Sequence, residues 1–169
     1  ALPHGATTGS MLRLIDFAAA NGFSYVLAEG WNRGWEHGDG GWSERKFSFT
    51  EAYPDVDLPR ISEYAKDKGV GLMMYHETYG AVTDYERQLP AALDLMEKLG
   101  YKGVKTGYVG RIVPRGEHHD GQWMVNHYLH LAQLTALRKF FLVSHESVRP
   151  TGLHRSYPNW FSCEAARGN

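Results

Sequence analysis

The chain has 169 residues and a formal net charge of -1, and 43% of its residues are hydrophobic. So balanced a charge gives no electrostatic footprint for nucleic acid or an anionic membrane surface. No apolar run approaches the roughly 20 residues of a membrane-spanning helix, no secretory leader pattern is visible, and a single cysteine, Cys163, excludes an intrachain disulfide.

Residues 11–20 carry apolar side chains at helical spacing, and Asn21-Gly22 supplies a stop. Residues 23–28 then read as a short strand, followed by a Gly- and Trp-rich loop from residue 30 to about 55. A second helix is expected over 58–68, stopped by Gly69, and a strand over 70–75. A third helix over 84–99 ends at Gly100 and leads to a strand at 103–106. A fourth, over 122–139, leads to the apolar strand 140–143, and 160–163 is the last strand candidate.

This α-β-α-β-α-β-α-β-β order predicts an α/β fold with a parallel sheet. The turns entering the strands are short and the loops leaving them are long, which is the habit of a (β/α)8 barrel with its function on the βα loops. A closed barrel takes about 250 residues and at least about 200. Five strands and four helices fall short of that, so the chain reads as the central units of a larger barrel, incomplete over 1–169. A doubly wound open sheet is the alternative, and no Gly-rich phosphate loop follows the first strand to support it.

Five segments follow the expected strands: Glu29-Gly30-Trp31-Asn32, His76-Glu77-Thr78, Gly107-Tyr108-Val109-Gly110, His145-Glu146-Ser147 and Glu164. Four of them offer a carboxylate at nearly the same place in the repeating unit, and in a parallel barrel those places converge on one rim. Clustered carboxylates there need a cation or a proton partner. Paired carboxylates are also what glycoside hydrolysis requires, one to protonate the leaving oxygen and one to activate water or attack the sugar. A glycine at 107 leaves room beside them, as an inverting mechanism needs room for a water.

Other features have competing readings. Trp31, Trp35 and Trp42 are either a sugar platform or packing within their own loop. His127 and His130, three apart on a helix, raise a zinc site, but neither an HExxH spacing nor a cysteine pair occurs. Lys105 points out of a strand and needs a carboxylate partner, for which Glu29 is the closest by topology. The run Asp84-Tyr85-Glu86-Arg87 reads as a solvated first turn whose acids suit the helix dipole.

Taken together these strings resemble glycoside hydrolase family 97. They are Glu29-Gly30-Trp31-Asn32 with Gly34-Trp35-Glu36, His76-Glu77-Thr78, Asp84-Tyr85-Glu86-Arg87, Val104-Lys105 with Gly107-Tyr108-Val109-Gly110, Arg115 to His119 with Gln122-Trp123-Met124, and the segment from His145 to Gly168. The resemblance covers essentially the whole chain, in order. It implies a (β/α)8 catalytic barrel, with a β-sandwich domain before it and a smaller β domain after it, both outside this chain. It also implies calcium at the active site and an exported or periplasmic bacterial enzyme that hydrolyses terminal α-glucosidic bonds of malto-oligosaccharides with inversion. Carried over by position, Glu146 resembles a calcium ligand that helps activate water, Glu77 its partner in base catalysis, and Glu164 a second calcium ligand. Glu29, His76, Lys105 and His145 resemble sugar contacts. Retaining α-galactosidases of the family place an aspartate nucleophile where this chain has Gly107, so inversion is expected, with a retaining α-galactosidase or a non-catalytic carbohydrate-binding fragment as alternatives. Tyr75 stands where close relatives often show a histidine. The resemblance places the general acid just past Asn169 and a further calcium ligand outside the chain, so this polypeptide alone is expected to be inactive.

Overall fold

The computed structural model describes residues 4–37, 47–149 and 152–164. Five strands, β1 (Tyr25–Ala28), β2 (Gly71–Glu77), β3 (Gly103–Gly107), β4 (Phe141–His145) and β5 (Trp160–Glu164), alternate with helices α1 (Thr8–Asn21), α2 (Leu58–Asp67), α3 (Val82–Leu99), α4 (Gln122–Leu137) and the short α5 (Leu153–Ser156). The strands form one parallel sheet in the order β1-β2-β3-β4-β5. Each crossover moves to the next strand in the same direction, so right-handed connections put the helices on one face. The result is an α/β arc that fits part of a (β/α)8 barrel.

Local chemistry sets the helix ends. The Thr7 hydroxyl accepts from the Ser10 amide at 3.2 Å to open α1, and Asp57 accepts from the Arg60 amide at 3.0 Å to open α2. Glycines in the left-handed region, Gly22 and Gly100, close α1 and α3. α3 starts two residues earlier than expected, and this turns Asp84 inward. It is buried and bonded to Arg87 and Gln88, not solvated. α5 had no periodic signal, being four residues long.

Side-chain alternation divides the sheet. Leu72, Met74, Val104 and Leu142 point to the helices and meet a core of Tyr85, Leu89, Leu93 and Met96 from α3 with Tyr128 and Leu131 from α4, all buried. The other face carries rows fixed by the register. Tyr75 neighbours Lys105, Lys105 neighbours Val143, and Val143 neighbours Ser162. One step toward the C-terminal edge, Glu77 neighbours Gly107 and His145 neighbours Glu164. The last residues of the strands therefore line one rim.

Candidate active site at the C-terminal rim

Glu77 ends β2 on the helix-free face, yet it is only 3% exposed. Its Oε2 accepts from the Tyr75 hydroxyl at 2.9 Å, and its Oε1 accepts from the amides of Tyr79 at 2.7 Å and Val109 at 3.2 Å. Among the described residues no cation touches it, so burial dominates and raises its carboxyl to about 7 against the opposing hydrogen bonds. A carboxyl poised there is suited to take a proton near neutral pH.

Gly107 is the neighbour that makes this arrangement possible. A Cβ at that position would overlap Glu77 Oε2 and lie 2.7 Å from the Tyr75 hydroxyl. The room left by the glycine is thus filled by the Glu77 carboxylate.

Glu146 follows β4 with φ at 50°, a left-handed conformation unusual for a residue with a side chain. Three bonds hold it. Its amide donates to the Glu164 carbonyl at 2.8 Å, its Oε2 accepts from the Tyr108 amide at 2.8 Å, and its carbonyl accepts from the Tyr128 hydroxyl at 3.2 Å. Adjacent amides, Tyr108 and Val109, therefore each hold one of the two carboxylates.

On the far side His145 Nε2 lies 3.3 Å from Glu146 Oε1 and 3.7 Å from Glu164 Oε1. Glu164 is joined to Lys105 Nζ at 2.6 Å, and that bond draws its carboxyl below the usual range. Lys105 pairs with Glu164 and not with Glu29, because the short Val143 between β3 and β5 lets the lysine stem cross β4. Glu29 stands at the rim just past β1. Partial burial raises its carboxyl, while Lys105 and His145 oppose that rise.

Of the residues singled out from sequence, Glu29, Glu77, Lys105, His145, Glu146 and Glu164 share this rim. His76 does not. Consecutive strand residues face opposite ways, so with Glu77 on the open face His76 turns into the helices. It is fully buried, its Nδ1 shares a 3.0 Å hydrogen bond with the Tyr85 hydroxyl, and burial lowers it to about 3, hence neutral. Tyr75, two residues before Glu77, occupies the position on the open face. The period of two along β2 is the signal that identifies it.

The tryptophan platform is not formed by Trp31, which is buried and donates through Nε1 to the Tyr75 carbonyl at 2.7 Å. Trp35 packs on Phe47, and Trp42 lies outside the described residues. His127 and His130 do not form a zinc pair: His130 is exposed, while both ring nitrogens of His127 are occupied, by Glu86 and Tyr108 at 2.7 Å each. No group of three candidate metal ligands occurs among the described residues. Glu146 and Glu164 do present carboxylate oxygens to the same imidazole edge, a donor chemistry that fits a hard cation completing its shell from elsewhere.

Comparison with known proteins agrees with this geometry. The family model Glycoside hydrolase 97 matches residues 1–166. A solved Glycoside Hydrolase Family 97 enzyme from Pseudoalteromonas sp. strain K8, in complex with acarbose, is 45% identical with a TM-score of 0.90, over 99% of this chain and 27% of that one. A variant in complex with panose matches with the same figures, 45%, 0.90, 99% and 27%. Among curated proteins, a retaining alpha-galactosidase of Bacteroides thetaiotaomicron is 28% identical over 91% of this chain and 20% of its own length. The chain thus spans between a fifth and about a quarter of these relatives.

Proposed function

The chain belongs to glycoside hydrolase family 97, and from that premise we propose that it forms the water-activating side of an inverting, calcium-dependent α-glucosidase acting on malto-oligosaccharides. The observation that carries this reading is the Gly107–Glu77 contact. An aspartate nucleophile on β3 would have to displace the Glu77 carboxylate from the volume it fills, so the observed placement of Glu77 favours a strand end without a nucleophile. With no nucleophile on that strand, Glu77 and Glu146 serve as the carboxylates that take a proton from water as it attacks the anomeric carbon. The acarbose and panose complexes of a relative at 45% identity support an oligosaccharide of α-linked glucose as substrate.

Glu146 and Glu164 would hold the calcium ion, which when bound supplies positive charge to orient the sugar and the attacking water. Lys105 and His145 supply hydrogen-bonding nitrogens beside these carboxylates and face the sugar hydroxyls. Glu29 accepts from sugar hydroxyls at the opposite side of the rim. Tyr75 packs beneath them, orienting Glu77 through its hydroxyl.

The test is hydrolysis by the full-length protein of maltotriose and of an aryl α-galactoside, before and after chelation with EDTA. The proposal expects maltotriose cleavage that falls on chelation and returns with calcium. Undiminished activity in EDTA would remove the metal from the account. The second reading, a retaining α-galactosidase, is favoured by the name of the Bacteroides relative. Preference for the galactoside, with the α anomer of galactose released first, would establish it.

A further inference from the structure

Behind the rim, on the helix side of the sheet, two buried polar groups and the half-buried Glu86 form a continuous path. Glu86 Oε1 of α3 meets His127 Nδ1 of α4 at 2.7 Å, and His127 Nε2 meets the Tyr108 hydroxyl at 2.7 Å. A carboxylate accepts, so Nδ1 carries the proton and Nε2 is left to accept from the phenol. Burial keeps His127 below its usual range, although Glu86 opposes this. Tyr108 is fully buried, and its ring lies edge-on to His127 and Tyr128 at centroid distances of 5.4 and 5.1 Å. These side chains lie on the helix side of the sheet, and the path ends on the Tyr108 side chain, whose own backbone begins a short piece of the rim.

That piece is the Tyr108-Val109 dipeptide, whose two amides donate to Glu146 and to Glu77. The neighbouring α4 residue, Tyr128, independently holds the Glu146 carbonyl. We propose that His127 and Tyr128 of α4, with Glu86 behind them, are positioning residues that fix the amide bridge between the two carboxylates. This inference rests on the proposed roles of Glu77 and Glu146. His127 and Glu86 fix the Tyr108 side chain from below, and with it the direction of the amides at 108 and 109. Tyr128 fixes Glu146 in its left-handed conformation from the carbonyl side. The spacing of the two carboxylates around a water is then set in part from α4, alongside the Tyr75 hydroxyl and the Tyr79 amide that also hold Glu77.

The test uses the full-length protein with Tyr108→Phe, Tyr128→Phe, Glu86→Ala and Glu86→Gln. Misplacement of a reacting group by about 1 Å costs up to about 100-fold in rate, so Tyr108→Phe is expected to lower kcat at least about tenfold with KM changed less than about twofold. Glu86→Gln still accepts from His127 Nδ1–H and should retain most activity, whereas Glu86→Ala should not. Amide-resolved hydrogen exchange supplies a readout independent of turnover: the amides of 108 and 109 should exchange faster in Tyr108→Phe. A variant with lower thermal stability but unchanged kcat and unchanged exchange at 108 and 109 would overturn the proposal. Should Tyr108→Phe fail to fold, the Glu86→Ala and Glu86→Gln pair carries the same comparison, because Glu86 is partly exposed on α3. An inactive wild-type protein would refute the glycosidase reading itself, and the exchange result would then decide the positioning role alone.

Discussion

Glu77 and Glu164 end strands of the same sheet on the same rim, yet their surroundings are opposite. Glu77 is enclosed and bound by neutral donors, a phenol and two amides, which leaves burial to raise its carboxyl to about 7. Glu164 has a half-exposed side chain with an ammonium at 2.6 Å and is held ionised below the usual range. The chemistry is the same and the environments split it into a proton acceptor near neutrality and a permanent anion. Glu146 sits between them in contact with both worlds, one oxygen on the Tyr108 amide and the other beside His145. Varying enclosure along one row thus yields the two kinds of carboxylate that the proposed base and cation-binding roles require.

The strongest way to break this comparison is to remove the carboxylates proposed as bases. Glu77→Gln or Glu146→Gln in the full-length protein should each lower kcat by about 100- to 10,000-fold, as loss of a general base does, measured by steady-state hydrolysis of maltotriose. Gly107→Ala attacks the enclosure itself. The added methyl overlaps Glu77 Oε2, so overpacking of about 1–3 kcal/mol is expected in denaturant unfolding, together with a fall in kcat as the carboxylate is displaced.

The raised carboxyl of Glu77 also has a stability consequence. Its folded value lies above the ordinary 4.5, so the folded state holds the proton more tightly than the unfolded chain. Its contribution is full below about 4.5 and is lost as pH rises through about 7. Glu77→Gln, which has no proton to lose, should therefore gain on the wild type across that interval by on the order of 3 kcal/mol. Unfolding curves at the two ends of the interval measure it. The smallest effect belongs to the exposed end. Lys105→Met should change stability by less than about 1 kcal/mol, as solvent screens the pair, while NMR titration shows the Glu164 carboxyl moving back up.

The rim was legible from sequence because βα periodicity places strand ends with little ambiguity. Glu29, Glu77, Glu146 and Glu164 fall at or one residue past the ends of β1, β2, β4 and β5. The first expected strand ends with β1 at residue 28, but the other four stop one or two residues short, and in β2 that conceals the orientation of His76. Once β2 runs to Glu77, alternation sends His76 to the helices and brings Tyr75 to the open face. The Lys105–Glu164 pair needed the size of the residue on the intervening strand, which no local pattern contains. The amides of Tyr108 and Val109 were not legible at all, since a backbone donor has no residue type to announce it. His127 was noticed for its spacing to His130, although its partners, Glu86 and Tyr108, come from other elements.

Under the proposed function, Gly107 and an enclosed Glu77 favour attack by water at this site. The direct measurement is proton NMR of maltotriose hydrolysis by the full-length protein, recorded before mutarotation scrambles the new anomeric centre. The account predicts that the first sugar formed from the cleaved α-bond is the β anomer. An α anomer appearing first would contradict it, requiring a covalent intermediate and a nucleophile that Gly107 does not provide.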